Sequence, residues 1–321
     1  MHGSKTWTAP YYIEIQSENI HDYLTWHANF HSTRPGERSY RPLIPPHETP
    51  SEGTIVALDT EFVSVRQPEI QMHSDGVRET IRPTVHALAR VSVVRGSGED
   101  EGYPFIDDYV AVRDKVLDYL TNFSGIVAGD LDVRVSQHNL VSLKVAYKKL
   151  WVLLNLGCKF LGHSMKTDFR VVNIHIPKAQ RIDTAELFWI KEQRRTLSLS
   201  FLAWLVLKED IQIGTHDSIE DSRTALKLYR KYQEFTDAGI LRQMLNDIYS
   251  RGKECNFRVP SAMKKDGGQH KRTDTPPLID GRPFDSTSNP VTPVRRPLGL
   301  APGTGGSFGT GFTPGRNSPF N

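Results

Sequence analysis

Hydrophobic and polar positions change period several times along the chain, and between residues 53 and 255 they predict alternating strands and helices. Residues 54–65, TIVALDTEFVSV, alternate along a strand whose two faces are both largely apolar, which is typical of a central strand covered on both sides. The pattern predicts an α/β domain with a mixed sheet flanked by helices. The other predicted strands are HALARVSVVRG and YVAV, and the predicted helices are HNLVSLKVAYKKLWVLLNLG, SLSFLAWLVL and DSRTALKLYRKYQEF.

The two ends of the chain differ in composition from the segment between them. Residues 1–52 contain the strand-like YYIEI and an extended stretch with a Pro-Pro pair, which together predict an N-terminal arm or linker. Half of the chain's twenty prolines lie from Pro260 onward, in a Gly-rich stretch with few apolar residues. Because such a stretch buries too little apolar surface to offset the entropy of ordering, residues 256–321 are predicted to be a disordered basic tail.

Charge and cysteine content narrow the class of protein further. Eight Lys/Arg stand against four Asp from Ser261 onward, so the net charge of +3 comes from the tail and the rest is near −1. A contact of the domain with nucleic acid would therefore use local basic patches. Cys158 and Cys255 lack CxxC spacing, which excludes a disulfide framework or a cysteine zinc site. Without a signal pattern or about 18 consecutive apolar residues, the chain is predicted to be soluble and cytoplasmic.

Two acidic side chains lie in the middle of the predicted central strand. Asp59 and Glu61 occupy alternate positions of TIVALDTEFVSV and therefore share one face. Two like charges in an apolar environment repel each other and lose hydration, and a cation between them would remove both effects. The alternative is a strand end that opens to water, where the pair is merely solvated.

The segment THDSIED places one histidine and three acids at the start of a predicted helix. Asp221 lies one turn before the first apolar position of that helix and therefore faces the core. Asp217 and Glu220 lie off this face with the spacing of an N-cap and a capping-box acid, so we expect them to begin the helix. His216 falls just outside the helix, near enough to share a site with Asp221; the alternative is an ordinary surface or core histidine.

A further carboxylate, Asp168, lies in GHSMKTDFRVVNI, where a buried-looking run ends and a helix is predicted to begin. Asp168 aligns with Val171 and Val172, which points its carboxylate toward apolar neighbours. The alternative is an acid that only interacts with the helix dipole, because acids are favoured at helix N-termini. Four carboxylates and one histidine in this order form a more specific pattern than any one of them alone.

The segments LDTEF, GHSMKTDF and HDSIED resemble the three exonuclease motifs of the DEDD superfamily, in its histidine-bearing (DEDDh) branch. The resemblance implies the ribonuclease H-like fold and removal of nucleotides from 3′ ends with two divalent cations, Mg²⁺ or Mn²⁺. The tyrosine-bearing branch would place a Tyr where this chain has Asp217. By this resemblance the metal-binding acids are Asp59, Glu61, Asp168 and Asp221, and the catalytic histidine is His216.

Residues 53–240 also resemble the catalytic subunits of the poly(A)-nuclease (Pan) deadenylation complex, through GDLD, IPKAQRIDTAELF and the long segment around THDSIED. This resemblance implies shortening of mRNA poly(A) tails with release of 5′-AMP. It also implies a pseudokinase-like regulatory subunit and poly(A)-binding protein as partners. In that family a WD40 propeller and an inactive ubiquitin-hydrolase-like domain precede the exonuclease domain. Residues 1–52 are interpreted as a remnant of the latter, and the chain as a fragment, a truncated gene model or a stand-alone paralogue.

Two other functions stay open at this point: a DEDDh exonuclease acting on DNA or on RNA other than poly(A), and a catalytically silent scaffold. Single-stranded RNA is bound by aromatic stacking and basic contacts, and residues of both kinds flank the motifs. For each of them the alternative is a core aromatic or a solvated cation. The candidates for RNA contacts are Phe62, His163, Phe169, Arg170, Lys191, Arg194 and Arg195.

Overall fold

The computed structural model describes residues 40–44 and 46–260, together with two two-residue strands farther along the chain. The strands are β1 (Ile55–Arg66), β2 (Glu69–Met72), β3 (Arg78–Arg82), β4 (Val85–Arg95), β5 (Pro104–Ala111), β6 (Leu140–Ser142), β7 (Lys159–Gly162), β8 (Arg181–Asp183), β9 (Leu278–Ile279) and β10 (Arg282–Pro283). Six of them form one sheet in the order β6-β5-β4-β1-β7-β8. The β4 strand is antiparallel to β1 and β5, whereas the pairs β1–β7, β7–β8 and β5–β6 are parallel. The predicted mixed sheet is therefore confirmed.

Helices cover both faces of this sheet. They are α1 (Thr121–Ser124), α2 (Leu143–Asn155), α3 (Lys166–Val171), α4 (Thr184–Leu187), α5 (Leu199–Leu202), α6 (Ser218–Asp237) and α7 (Leu241–Glu254). A π-helical turn, Ala203–Leu207, continues α5, so the predicted helix SLSFLAWLVL changes its hydrogen-bond period halfway along. Side chains cap several N-termini: Ser142 accepts from the Val145 amide and Ser198 from the Phe201 amide. No helix within the described ranges is long and apolar enough to cross a membrane.

The two faces of β1 contact two different hydrophobic cores, as its alternating pattern predicts. Val56 and Leu58 belong to the core on the α2 side, whereas Ala57 belongs to the core that α6 and α7 complete. All three side chains are almost fully buried. The α6 helix packs directly against β1, which brings the face that carries Asp59 and Glu61 next to the helix that carries Asp221.

The periodicity did not predict every element. The hairpin of β2 and β3 and the helix α7 were not predicted, and the helix predicted from residue 138 begins only at Leu143, after the short strand β6. Near the N-terminus, Leu43 is buried in the α2-side core, and Arg95 donates to the carbonyl oxygens of Arg41 and Pro42.

The predicted domain boundaries at residues 52 and 255 stay predictions. Most of the predicted N-terminal arm lies outside the described residues. So does the predicted disordered tail, apart from residues 256–260 and the antiparallel pair of β9 and β10.

Candidate active site

Asp59 and Glu61 lie side by side on the central strand β1, on the face that α6 covers. Burial raises the pKa of both carboxyl groups well above their ordinary range, and the neighbouring charge of Asp221 raises them further. Asp168 also raises the pKa of Asp59, so Asp59 lies within electrostatic reach of the other three predicted acids. The register of β1 against β4 shifts directly after Glu61, and such irregularities are frequent beside active sites.

Asp168 lies in α3, where the chain turns after β7. Ser164 in this turn adopts a left-handed conformation with φ 60°. The carboxylate of Asp183 holds the turn by accepting hydrogen bonds from the backbone amides of Ser164 at 2.8 Å and Met165 at 3.0 Å. Burial raises the pKa of the Asp168 carboxyl group to about 7. The sequence reasoning did not single out Asp183, although an Asp at the end of a short strand and directly before a helix is an N-cap signal.

Asp221 lies in the first turn of α6 and is buried, as its helical phase predicts. Its Oδ2 atom accepts a 2.8 Å hydrogen bond from Nε2 of Gln212 and lies 3.6 Å from Nδ1 of His216. Burial raises the pKa of Asp221 to about 7, while the bond from Gln212 acts in the opposite direction. Burial also lowers the pKa of His216, so its imidazole is neutral at pH 7. The ring of Phe123 contacts that imidazole edge-on, with centroids 6.0 Å apart.

The N-cap of α6 is part of a buried polar network. Asp217 accepts from the amides of the first turn, as predicted, and its Oδ2 also accepts from Nη1 of Arg90 at 3.1 Å. Arg90 donates through Nε and Nη2 to both oxygens of Asp107, and Ser92 donates to Asp107 as well. Although burial acts to raise it, the Arg90 guanidinium holds the pKa of Asp217 below its usual range. The sequence reasoning missed Arg90, yet a charged residue within an otherwise apolar strand could have indicated it.

The predicted capping-box role of Glu220 is wrong. Its Oε2 atom accepts a 2.9 Å hydrogen bond from the backbone amide of Gln212, which lies in the loop before the helix. Gln212 itself adopts a left-handed conformation, φ 57°. Glu220 therefore connects the loop to the helix instead of closing the N-terminus.

The residues predicted to contact RNA occupy different environments. Phe169 is 7% exposed and packs edge-on against Phe160, so its ring has no open face for a base. His163 has Thr184 Oγ1 near Nδ1 and the Leu197 carbonyl near Nε2, and burial lowers its pKa to about 4.

Phe62 is half-buried against the α2-side core, and Arg195 lies over the Phe257 ring at 4.2 Å. Arg170, Lys191 and Arg194 are exposed. The RNA-contact assignments stay predictions.

The chemistry of the acidic cluster fits hard divalent cations. Its donors are carboxylate oxygens, which Mg²⁺ and Mn²⁺ prefer, and two of them, Glu61 Oε1 and Asp221 Oδ1, are buried without a hydrogen-bond partner among the described residues. Within that same part of the chain, no three His, Cys, Asp or Glu side chains are arranged to hold an ion by themselves. Cations here would complete their coordination with water and substrate phosphate, as Mg²⁺ commonly does.

Comparison with known proteins agrees with this fold. The exonuclease family RNase T matches residues 56–229, and the chain belongs to this family.

The chain is 55% identical over 324 residues to the catalytic subunit PAN2 of the PAN2–PAN3 deadenylation complex from Chaetomium thermophilum, with 95% of this chain and 28% of the relative covered. The corresponding subunit of Chaetomium globosum is 66% identical over 240 residues, with 75% and 22% covered. The predicted resemblance to Pan catalytic subunits is therefore confirmed. The chain spans about a quarter of the length of these relatives.

Solved structures give the same result. The Saccharomyces cerevisiae Pan2 pseudoubiquitin hydrolase-RNA exonuclease module in complex with A7 RNA superposes with a TM-score of 0.64 and 41% identity, covering 75% of this chain and 37% of that one. The Neurospora crassa Pan2 catalytic unit, with protease and nuclease domains, gives a TM-score of 0.58 and 49% identity, covering 68% and 34%. The predicted DEDDh exonuclease fold is confirmed by these similarities.

Proposed function

We propose that this chain is a metal-dependent 3′–5′ exoribonuclease that shortens mRNA poly(A) tails and releases 5′-AMP. The observation that carries the proposal is the gathering of four carboxylates with raised pKa values beside the neutral His216. A protein gains no stability from poorly hydrated acids that repel one another, whereas a phosphodiesterase needs them to hold cations. The four acids are Asp59, Glu61, Asp168 and Asp221.

These four acids would hold two Mg²⁺ or Mn²⁺ ions. When bound, the ions supply positive charge that activates the attacking water and stabilises the charge that develops on the phosphate oxygens. The side chains contribute the oxygen donors, and the unpartnered Glu61 Oε1 and Asp221 Oδ1 are the atoms most available for this purpose.

His216 would accept the proton of the attacking water. Its Nδ1 atom faces the Asp221 carboxylate at 3.6 Å, so Nε2 is the nitrogen left for the proton. Burial keeps the imidazole neutral at pH 7 and therefore able to act as a base. Arg90 donates to the N-cap Asp217, the residue next to His216, and this bond would anchor the chain beside the histidine.

RNA, and poly(A) in particular, is proposed as the substrate because relatives are named as catalytic subunits of a deadenylation complex and one is solved with A7 RNA. The same names support a regulatory subunit of the Pan3 kind as a partner, and poly(A)-binding protein is a second partner proposed from the family likeness. A cytoplasmic location also belongs to this proposal.

The purified chain tests the proposal on a 5′-labelled RNA that ends in a poly(A) tail. With Mg²⁺ we expect stepwise shortening from the 3′ end and 5′-AMP as the product, and EDTA should stop the reaction. The variants Asp59→Asn and His216→Ala should lose at least about 10²-fold in kcat. The matched control Asp247→Asn, an exposed acid in α7, should retain wild-type activity.

The choice of substrate separates the remaining alternatives. Equal rates on oligo(A), mixed-sequence RNA and single-stranded DNA would replace poly(A) specificity with a general DEDDh exonuclease activity. RNA binding without any shortened product would identify a silent scaffold and overturn the catalytic proposal.

A further inference from the structure

Residues 208–217 connect the π-helical turn to α6, and the first eight of them, 208–215, lead directly to His216. Two of its non-glycine residues, Lys208 and Gln212, adopt left-handed conformations with φ 61° and 57°. Ile213 in the same loop is 83% exposed. Left-handed conformations are unfavourable for residues with a Cβ atom and persist where surrounding contacts enforce them. The contacts that hold Gln212 therefore determine the path of the chain toward His216.

Gln212 is attached to the first turn of α6 at two points. Its backbone amide donates to Glu220 Oε2 at 2.9 Å, and its side-chain Nε2 donates to Asp221 Oδ2 at 2.8 Å. The two acids are adjacent in sequence, so the loop residue contacts the helix through consecutive side chains. This double attachment joins the loop to one of the proposed metal-binding acids.

The contact from Gln212 makes the two oxygens of Asp221 unequal. Oδ2 faces protein groups, namely the Gln212 amide and the His216 imidazole, whereas Oδ1 is buried without a hydrogen-bond partner in the described part of the chain. An amide NH₂ group can only donate, so this bond holds Oδ2 and fixes the rotation of the carboxylate.

From these contacts we propose that Gln212 is a positioning residue that orients Asp221 with Oδ1 toward the cation site and holds the loop that leads to His216. The inference rests on the proposed function. Groups that hydrogen-bond to a metal-binding side chain orient it, and their loss commonly weakens metal affinity by about 10- to 100-fold. Gln212 would act in this way on Asp221 and, through the loop, on the proposed base.

The test compares Gln212→Met with the wild type, because Met has nearly the same length and lacks the donor. Mn²⁺ binding to the whole chain without RNA is measured by calorimetry, and the thermal midpoint of the metal-free protein is measured in parallel. We expect affinity for one Mn²⁺ to fall about 10-fold or more, and kcat to fall with little change in KM for RNA. The matched control Ile213→Ser, in the same loop but strongly exposed, should bind Mn²⁺ as the wild type does.

Variants at Glu220 change the contact of the Gln212 backbone amide without removing the contact of the Gln212 side chain with Asp221. They provide a second test if Gln212→Met does not fold. Glu220→Gln keeps an oxygen that accepts from the Gln212 amide and should retain wild-type kcat. Glu220→Ala removes it and should lower kcat while Gln212 still contacts Asp221.

The possible results distinguish this inference from the proposed function. Wild-type Mn²⁺ affinity and kcat in Gln212→Met would overturn the role of Gln212 alone. A wild type that binds Mn²⁺ but shortens no RNA would overturn the catalytic proposal, while the affinity of Gln212→Met still decides the positioning role. A wild type that binds no Mn²⁺ would overturn both.

Discussion

Nη1 of Arg90 lies 3.1 Å from Oδ2 of Asp217, and this contact joins the central sheet to the residue beside His216. Arg90 is buried and also binds both oxygens of Asp107 on the neighbouring strand. One guanidinium therefore connects β4, β5 and the N-terminus of α6. Because the planar guanidinium presents several donors in a fixed geometry, it can hold two carboxylates at once, which an ammonium group does less well.

Replacing Arg90 with Met should destabilise the protein and slow the reaction. The change leaves Asp107 and Asp217 without their shared cation, and breaking such a buried pair costs about 3 kcal/mol or more. We expect a fall in the free energy of unfolding by urea and a lower kcat, because the start of α6 loses its attachment to the sheet. Arg90→Lys should lie between Met and the wild type.

The exposed pair of Arg242 and Glu192 provides the control for this prediction. Arg242→Met removes an arginine of the same chemistry from the surface and should change stability by at most about 1 kcal/mol. Equal losses in Arg90→Met and Arg242→Met would contradict the role assigned to the buried network.

Stability of the metal-free protein should fall as pH rises from 6.5 to 8.5. Burial raises the pKa of Asp168 and Asp221 from 3.8 to about 7 in the folded state. The folded protein therefore holds more protons than the unfolded chain up to about pH 7, and the free energy of unfolding decreases as these protons are lost. His163 and His216 have lowered pKa values and act in the opposite direction, but mainly below pH 6.5.

Urea unfolding in EDTA at the two pH values measures this effect. Addition of Mg²⁺ should raise the unfolding midpoint more at pH 8.5 than at pH 6.5, because the ionised acids bind the cation. Asp221→Asn should weaken the pH dependence by removing one of the titrating groups. A free energy of unfolding that increases over this range would refute the assignment.

Lys149 and Asp108 form a buried ion pair between α2 and β5, with Nζ 2.9 and 2.7 Å from the two carboxylate oxygens. Lys149→Met removes the cation that neutralises the buried Asp108 carboxylate, so we expect a loss of about 3–5 kcal/mol in the free energy of unfolding. The double variant with Asp108→Asn should lose less than Lys149→Met, since no buried charge remains. The exposed Lys231, which pairs with Glu234, supplies the control Lys231→Met, with a change of at most about 1 kcal/mol.

Gly125 lies against the backbone of His216, the proposed base. It has φ 66°, and a Cβ atom placed on it would collide with the carbonyl oxygen of His216. Gly125→Ala should cost about 1–2 kcal/mol from the left-handed conformation and also displace His216, which lowers kcat. Gly239→Ala is the matched control, because Gly239 has a similar φ of 69° and a Cβ there would meet no described atom within 4 Å. If both variants kept wild-type kcat, the close approach of Gly125 to the His216 backbone would not contribute to the reaction.

The spacing of apolar and polar residues was enough to predict the strands and helices that bury one regular face or two. Alternation along TIVALDTEFVSV predicted a central strand, and β1 indeed contacts a different core on each face. Helical phase separated Asp221, which is buried, from Asp217, which caps α6. These predictions succeeded because side-chain direction in a strand or helix follows directly from sequence position.

The hairpin of β2 and β3 escaped the same reasoning. Nearly all of its side chains are exposed. Because the hairpin has no buried face, its sequence does not show the alternation of apolar and polar residues that predicts a strand. For Phe169 and His163, residue type alone could not distinguish a contact with RNA from a place in the core, because both residue types occur in both roles. Only the packing of Phe169 on Phe160 and the two partners of the His163 ring favour a structural role.

The sequence by itself determined the strand and helices that carry the four proposed metal-binding acids, and the family to which the chain belongs. Tertiary structure alone decided how the acids are held, through Gln212 on Asp221, Arg90 on Asp217 and Asp183 on the turn before Asp168. The physical reason is that the direction of a side chain within a strand or helix follows from its position relative to its near neighbours in sequence. Hydrogen bonds of this kind depend on distant strands and on left-handed loop residues, whose positions no local period encodes.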